Sequence, residues 1–446
     1  MSHYIPNTEK DREEMLRRIG VSSFKDLLKD IPEEAFYKGK LDLPGPLSEL
    51  EVEEEIKRLA SENISNLKIF AGGGIYDHFI PAVIDQILLR SEFYTSYTPY
   101  QAEVSQGTLQ TMFEYQSMIC ELTGMEVANA SMYDGASAIA EAALMALRIK
   151  QERNKILVAS NINPFYKDVL LTYAHGQKTP VEFIDYKDDG TIDLEQLKSK
   201  IDEDTAGFIF QHPNFWGILE DPFEISKIVK EAGAILIVSV NPISLGILAP
   251  PGEYDADIVV GEGQPLGLPV SFGGPLLGIF ASRLEYIRNM PGRISGMTED
   301  VEGNRGFVMT LQTREQHIRR ERATSNICSN QQLCATAAAI YMSLLGKEGI
   351  REVAEQSFYK AHYLKELLEK IDGLRFPFSG HFFNEFVVEL PIPAKKIVDD
   401  MLKYNILAGI ALDQFGYPEN YLLVSVTEKR RREELEEYAN KLKEVI

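Results

Sequence analysis

The chain has 446 residues, 44% of them hydrophobic and 25% charged, an ordinary globular composition that suits several domains or one large core with an added lobe. Its formal charge of −21 repels phosphate backbones, so nucleic acid is excluded as an expected partner and the acidity serves solubility. The three cysteines, Cys120, Cys328 and Cys334, are irregularly spaced, which excludes a disulfide framework and fits a reducing cytoplasm with thiols buried by default.

Other classes fall away as quickly. The opening residues are polar and charged, unlike a secretion signal. No apolar run reaches the roughly 20 residues that span a bilayer, so no membrane is expected. The seven histidines lie apart, without metal-ligand spacing, and no metal is expected.

In chain order, residues 1–65 read as a helical arm. Thr8 with Asp11 and Glu13 opens a helix that Gly20 closes, and Ser22 or Ser23 begins FKDLL. Ser48 caps a helix over Glu49–Ser61, with Glu51 as its capping-box partner. The apolar periodicity is too sparse for a core, so the arm is expected to wrap on something else.

From Asn66 the character changes. Three glycines, Gly72 to Gly74, precede a helix led by Pro81, then the aromatic, polar loop SYTPYQAEVSQG and a helix over Thr108–Thr123. The apolar runs KILVAS, PVEFID, AGFIFQ, AILIVSV and DIVVGEG follow, most of them separated by helical stretches. That alternation predicts an α/β domain over about 66–320, with a mostly parallel sheet covered on both faces and ligands at its carboxyl edge. A C-terminal α+β lobe is expected over 321–446: an alanine-rich helix, a long helix over about 350–371, then strand, helix, two strands and helix.

Two constellations stand out. Gly135–Ala136–Ser137 opens a helix as a phosphate site would, yet neighbouring Asp134 repels phosphate, and capping is the favoured reading. The Gly- and Pro-rich run from Asn241 to Pro275 covers two successive strand ends and allows close backbone approach.

The strings PPGEYDADIVVGEGQPLGLPVSFGGPLLGIFA, SYTPYQAEVSQGTLQTMFEYQSMICELTGM and LQTREQHIRRERATSNICSNQ resemble the glycine dehydrogenase (decarboxylating) family, the P-protein of the glycine cleavage system. The likeness extends over nearly the whole chain and matches the half that many bacteria make as a separate alpha subunit. It implies a fold-type-I fold of pyridoxal-phosphate (PLP) enzymes, a beta-subunit partner, glycine as substrate and the lipoylated H-protein as acceptor of the aminomethyl group left after decarboxylation. Two alpha and two beta chains are the expectation.

That chemistry needs a lysine to hold PLP and an acid facing the pyridine nitrogen. Between Lys230 and Lys347 there is no lysine, and the loop where the resemblance puts it reads Gly263–Gln264–Pro265–Leu266. Asn241 stands where the pyridine-pairing aspartate belongs, and Asn163 where a ring-stacking histidine does. The cofactor is therefore expected on the beta subunit, with none covalently on this chain. A scaffold or regulatory subunit of the same complex is the alternative. A stand-alone aminotransferase or lyase is disfavoured.

As half of a shared site, the chain is expected to offer Tyr97, Thr98, Tyr100, Gln101 and Glu103 for catalysis; interface packing is the competing reading of that loop. Backbone N–H groups of Ser271, Gly273 and Gly274 would meet the partner's cofactor phosphate, against the reading of a plain tight turn. The basic stretch Arg314, His317, Arg319, Arg320 and Arg322 reads as a solvated face, a subunit contact or a lure for an acidic carrier. His78 reads as structural, while His381 stays a minor candidate for the cleft.

Overall fold

The computed structural model describes residues 6–328 and 330–446; the first five residues of the arm and Ser329 of the basic stretch lie outside the described residues. Two compact units result, Met1–Ser65 and Asn66–Ile446.

In the first unit the capping signals act as read. Thr8 and Asp11 form a capping box on helix Glu9–Ile19, and Ser48 and Glu51 do the same on Glu49–Ser61. None of its described residues is buried, and Leu41, Leu43 and Leu50 stand exposed.

In the second unit a seven-stranded sheet forms from β1 (Val127–Ala128), β2 (Lys155–Ala159), β3 (Val181–Ile184), β4 (Thr205–His212), β5 (Ile235–Val240), β6 (Ile258–Glu262) and β7 (Gly278–Ser282), in the order β1-β7-β6-β5-β4-β2-β3. β2 to β6 run parallel; β7 is antiparallel to β6, and β1 to β7. Every residue of β2, β5 and β6 is buried, which is why these strands read as unbroken apolar runs and not as alternation; β7 is equally buried. α1 (Gln106–Thr123), α2 (Gly135–Ile149), α3 (Pro164–Gln177) and α4 (Pro222–Glu231) supply the larger helices of this half.

An antiparallel hairpin, β8 (Ile294–Glu299) with β9 (Arg305–Thr310), follows β7 and packs on α1. α5 (Gln332–Leu368) is two helical arms meeting at Gly346, whose φ of 59° breaks the helix between the alanine-rich and the longer arm. β10 (Glu385–Glu389), α6 (Ala394–Leu402), β11 (Ile410–Ala411), β12 (Tyr421–Ser425) and α7 (Arg432–Val445) complete the chain, with sheet order β10-β12-β11. The first of the two strands expected after α6, ILAGIAL, is split at Gly409: Ile406–Leu407 pairs in parallel with Lys68–Ile69, while β11 joins β12. A second apolar cluster forms here, and Phe70, Phe215 and Trp216 from earlier in the chain belong to it.

Candidate functional site

The carboxyl ends of β4, β5 and β6 face the start of α2, where a fold of this layout holds its ligand. Gln264 follows β6 and is 1% exposed. Its Oε1 accepts the Tyr76 N–H at 2.8 Å, and its Nε2 donates to the Tyr76 carbonyl at 3.0 Å and to the Leu268 carbonyl at 2.7 Å. The glycine-rich segment is thus paired onto the loop after β6.

The first turn of α2 is filled from inside as well. Glu262 Oε2 accepts the Gly135 N–H at 3.0 Å, and its Oε1 accepts the N–H groups of Gln264 and Leu277, each at 2.9 Å. Asp134 accepts the Ser137 N–H at 2.7 Å as the helix cap. A helix start that would suit an anion therefore already holds the chain's own carboxylates. Burial pushes Glu262 up to about 7.

A second buried carboxyl, Glu385 of β10, closes the other side. It accepts the Gly73 N–H and the Tyr76 hydroxyl, each at 2.6 Å, and burial pushes it up to about 7. Asn163 caps α3 through the Phe165 N–H and donates to the Gly73 carbonyl at 2.6 Å. Asn241 turns its oxygen onto the Ile243 N–H at 3.0 Å. These residues do not fit a lysine-held PLP. They offer no amine and no acid at the end of β5, and the helix start already carries negative charge.

The loop singled out for catalysis is differently placed. Tyr97, Gln101 and Glu103 are exposed and Thr98 is half-buried. Tyr97 and Thr98 line a cavity of about 180 Å³ with Arg293, Asn330 and Gln332. Tyr100 is 49% exposed, and its phenol oxygen accepts from Arg293 Nη2 at 2.8 Å. Arg293, absent from the sequence reading, is 5% exposed; it also donates to the Cys328 carbonyl at 2.9 Å and pairs with Glu315 at 3.3 Å. His317 lies edge-on to the Tyr100 ring at 5.5 Å and 3.5 Å from Glu315, which closes a ring of four side chains.

Ser271–Gly274 forms an exposed turn of four successive positive-φ residues, with Phe272 95% exposed at its tip. The basic stretch divides: Arg314 is consumed inside by the carbonyls of Met290, Gly292 and Leu311, while Arg319, Arg320 and Arg322 are exposed. A charge run read as one face is therefore two different things. Cys328 is exposed, against the expectation of buried thiols, because it lies in the segment ahead of α5; Cys334, inside α5, is buried. His78 is structural, paired with Glu428 at 2.6 Å, and the His381 residue is exposed. Among the described residues no group of side chains suits a metal ion, and no helix is long and apolar enough to cross a membrane.

The sheet order with its single reversed strand β7, the ligand edge at β4 to β6 and the α+β C-terminal part define a subunit of the fold-type-I class. The glutamate decarboxylase of Lactobacillus brevis shares this fold, at 13% identity and a TM-score of 0.69, covering 92% of this chain and 95% of that one. The sequence profile described as Glycine cleavage system P-protein matches residues 2–442, and the chain belongs to that family. It is 53% identical to the probable glycine dehydrogenase (decarboxylating) subunit 1 of Chloroherpeton thalassium, over 99% of both chains. It superposes on a crystal structure of glycine decarboxylase (P-protein) of the glycine cleavage system, in inhibitor-bound form, with a TM-score of 0.92 at 43% identity, each chain covered completely.

Proposed function

We propose that this chain is the subunit without a cofactor lysine in a two-part glycine decarboxylase. Paired with a subunit 2 that holds PLP in the cytoplasm, it completes a site in which glycine loses its carboxylate as carbon dioxide. The aminomethyl group then passes to the lipoyl disulfide of H-protein, which is reduced. The observation that carries the division of labour is Gln264, locked to Tyr76 where an amine would be needed.

The chain's own contribution is the Tyr97–Glu103 loop. Two phenols, a hydroxyl, an amide and a carboxylate lie within seven residues on an accessible edge, which supports a role in binding and orienting glycine across the interface. The exposed Ser271–Gly274 turn supports a second contact, to the partner's cofactor phosphate.

Borohydride reduction of the complex in the presence of PLP tests the assignment. A cofactor label on subunit 2 alone is expected; a lysine-linked label on this chain overturns it. Substitution of Tyr97, Tyr100 or Glu103 tests the loop: turnover falls in an intact complex if the loop is part of the site. Unchanged turnover returns the chain to a scaffold or regulatory subunit.

A further inference from the structure

We infer that Arg293 is a positioning residue that fixes the Tyr100 phenol as a hydrogen-bond donor toward an oxyanion at the subunit's open edge; this rests on the proposed role of the Tyr97–Glu103 loop. A guanidinium has five donors and no acceptor. The 2.8 Å contact between Arg293 Nη2 and the Tyr100 oxygen can therefore run only one way, with the phenol accepting. A phenol whose oxygen accepts from behind turns its own proton elsewhere, and Tyr100 is 49% exposed.

The guanidinium itself is not what the site offers. Glu315 neutralises it at 3.3 Å and the Cys328 carbonyl takes Nη1 at 2.9 Å, which together fix its plane. The His317 ring, edge-on to Tyr100, limits the swing of the phenol. The product of this arrangement is one oriented O–H donor at an exposed edge. Its natural acceptor is a carboxylate or phosphate oxygen, because hydrogen bonds to ionised acceptors are the strong ones. Glycine's carboxylate and the partner's cofactor phosphate both carry that chemistry.

The test uses the complex with subunit 2 and the variants Arg293→Lys, Tyr100→Phe and the pair. A lysine ammonium cannot span Tyr100, Glu315 and Cys328 together. Each single variant is expected to lower kcat/KM for glycine about tenfold, the worth of one charge-assisted hydrogen bond. The double variant is expected to lose no more than either, because Arg293 acts through Tyr100. Loss carried by KM for glycine assigns the carboxylate; loss carried by half-saturation with PLP assigns the phosphate. Losses that add, or an Arg293→Lys loss that only tracks a lowered melting temperature, overturn the inference. Should Tyr97, Tyr100 and Glu103 variants all keep full turnover, the shared-site reading itself fails, whatever Arg293 does.

Discussion

The side-chain amide of Gln264 pairs with both backbone groups of Tyr76, at 2.8 and 3.0 Å, as a neighbouring strand would. Removing that amide leaves the buried Tyr76 N–H and the Leu268 carbonyl without their partners, while the Tyr76 carbonyl keeps the His78 N–H at 3.1 Å. Gln264→Lys is therefore expected to cost about 2–6 kcal/mol, at ~1–3 kcal/mol per orphaned group. It is not expected to restore cofactor binding, since Glu262 still occupies the start of α2. Urea denaturation and PLP absorbance measure the two effects separately.

Glu262 and Glu385 give the fold a pH signature. Both have folded-state pKa values of about 7, raised by burial from an unfolded value of 4.5. Between those values the folded state binds more protons than the unfolded one, so their contribution to stability is full below 4.5 and falls as pH rises to about 7. Glu385→Gln is expected to flatten that fall relative to the unmodified chain in denaturation series between pH 4.5 and 7. An unchanged slope refutes the assignment.

His212 acts in the opposite sense. Burial lowers it to about 4 from 6.5, and its Nδ1 accepts the Glu220 N–H at 3.2 Å. The unfolded chain takes up the proton first, so this contribution is lost as pH falls from 6.5 to 4. His212→Gln is expected to remove that acid-side loss, read from the same pH series.

Gly217 has φ of 79°, and a Cβ there would overlap the Glu385 carbonyl. Gly217→Ala should cost more than about 2 kcal/mol, since both strain and overlap must be relieved by moving β10. Gly303, with a similar φ of 82° and open space around it, is the control and should lose only about 1 kcal/mol on the same change, by thermal melting.

The two kinds of arginine in the basic stretch should separate cleanly. Arg314→Met removes three contacts to backbone carbonyls and is expected to cost roughly 2–4 kcal/mol. Arg319→Glu and Arg322→Glu are expected within about 0.5 kcal/mol of the parent in stability. On the reading of this face as a lure for an acidic carrier, their effect is expected in the salt dependence of turnover with H-protein.

Much of this molecule can be read locally. Thr8, Ser48 and Asp134 cap as their sequence neighbours demand, and the five apolar runs of the parallel sheet lie where composition puts them. The β8–β9 hairpin escaped because its apolar residues, Ile294, Met297, Phe307, Val308 and Met309, are interrupted by Gly296, Gly306 and polar neighbours that dilute any strand pattern. β7 escaped because it emerges directly from a glycine- and proline-rich run. Arg293 could not be found from neighbours at all: its partner Tyr100 lies 193 residues earlier, and a lone arginine after Pro291–Gly292 carries no local signal. Gln264 was legible as the lack of an amine, but its clasp on Tyr76, 188 residues away, was not.

The carboxylate of Glu262 on the Gly135 N–H bears on vitamin nutrition. A ligand stabilises a protein only by binding its folded form, and the proposed division of labour leaves the coenzyme to subunit 2. Purified alone, this subunit should melt at the same temperature whether vitamin B6 is plentiful or scarce.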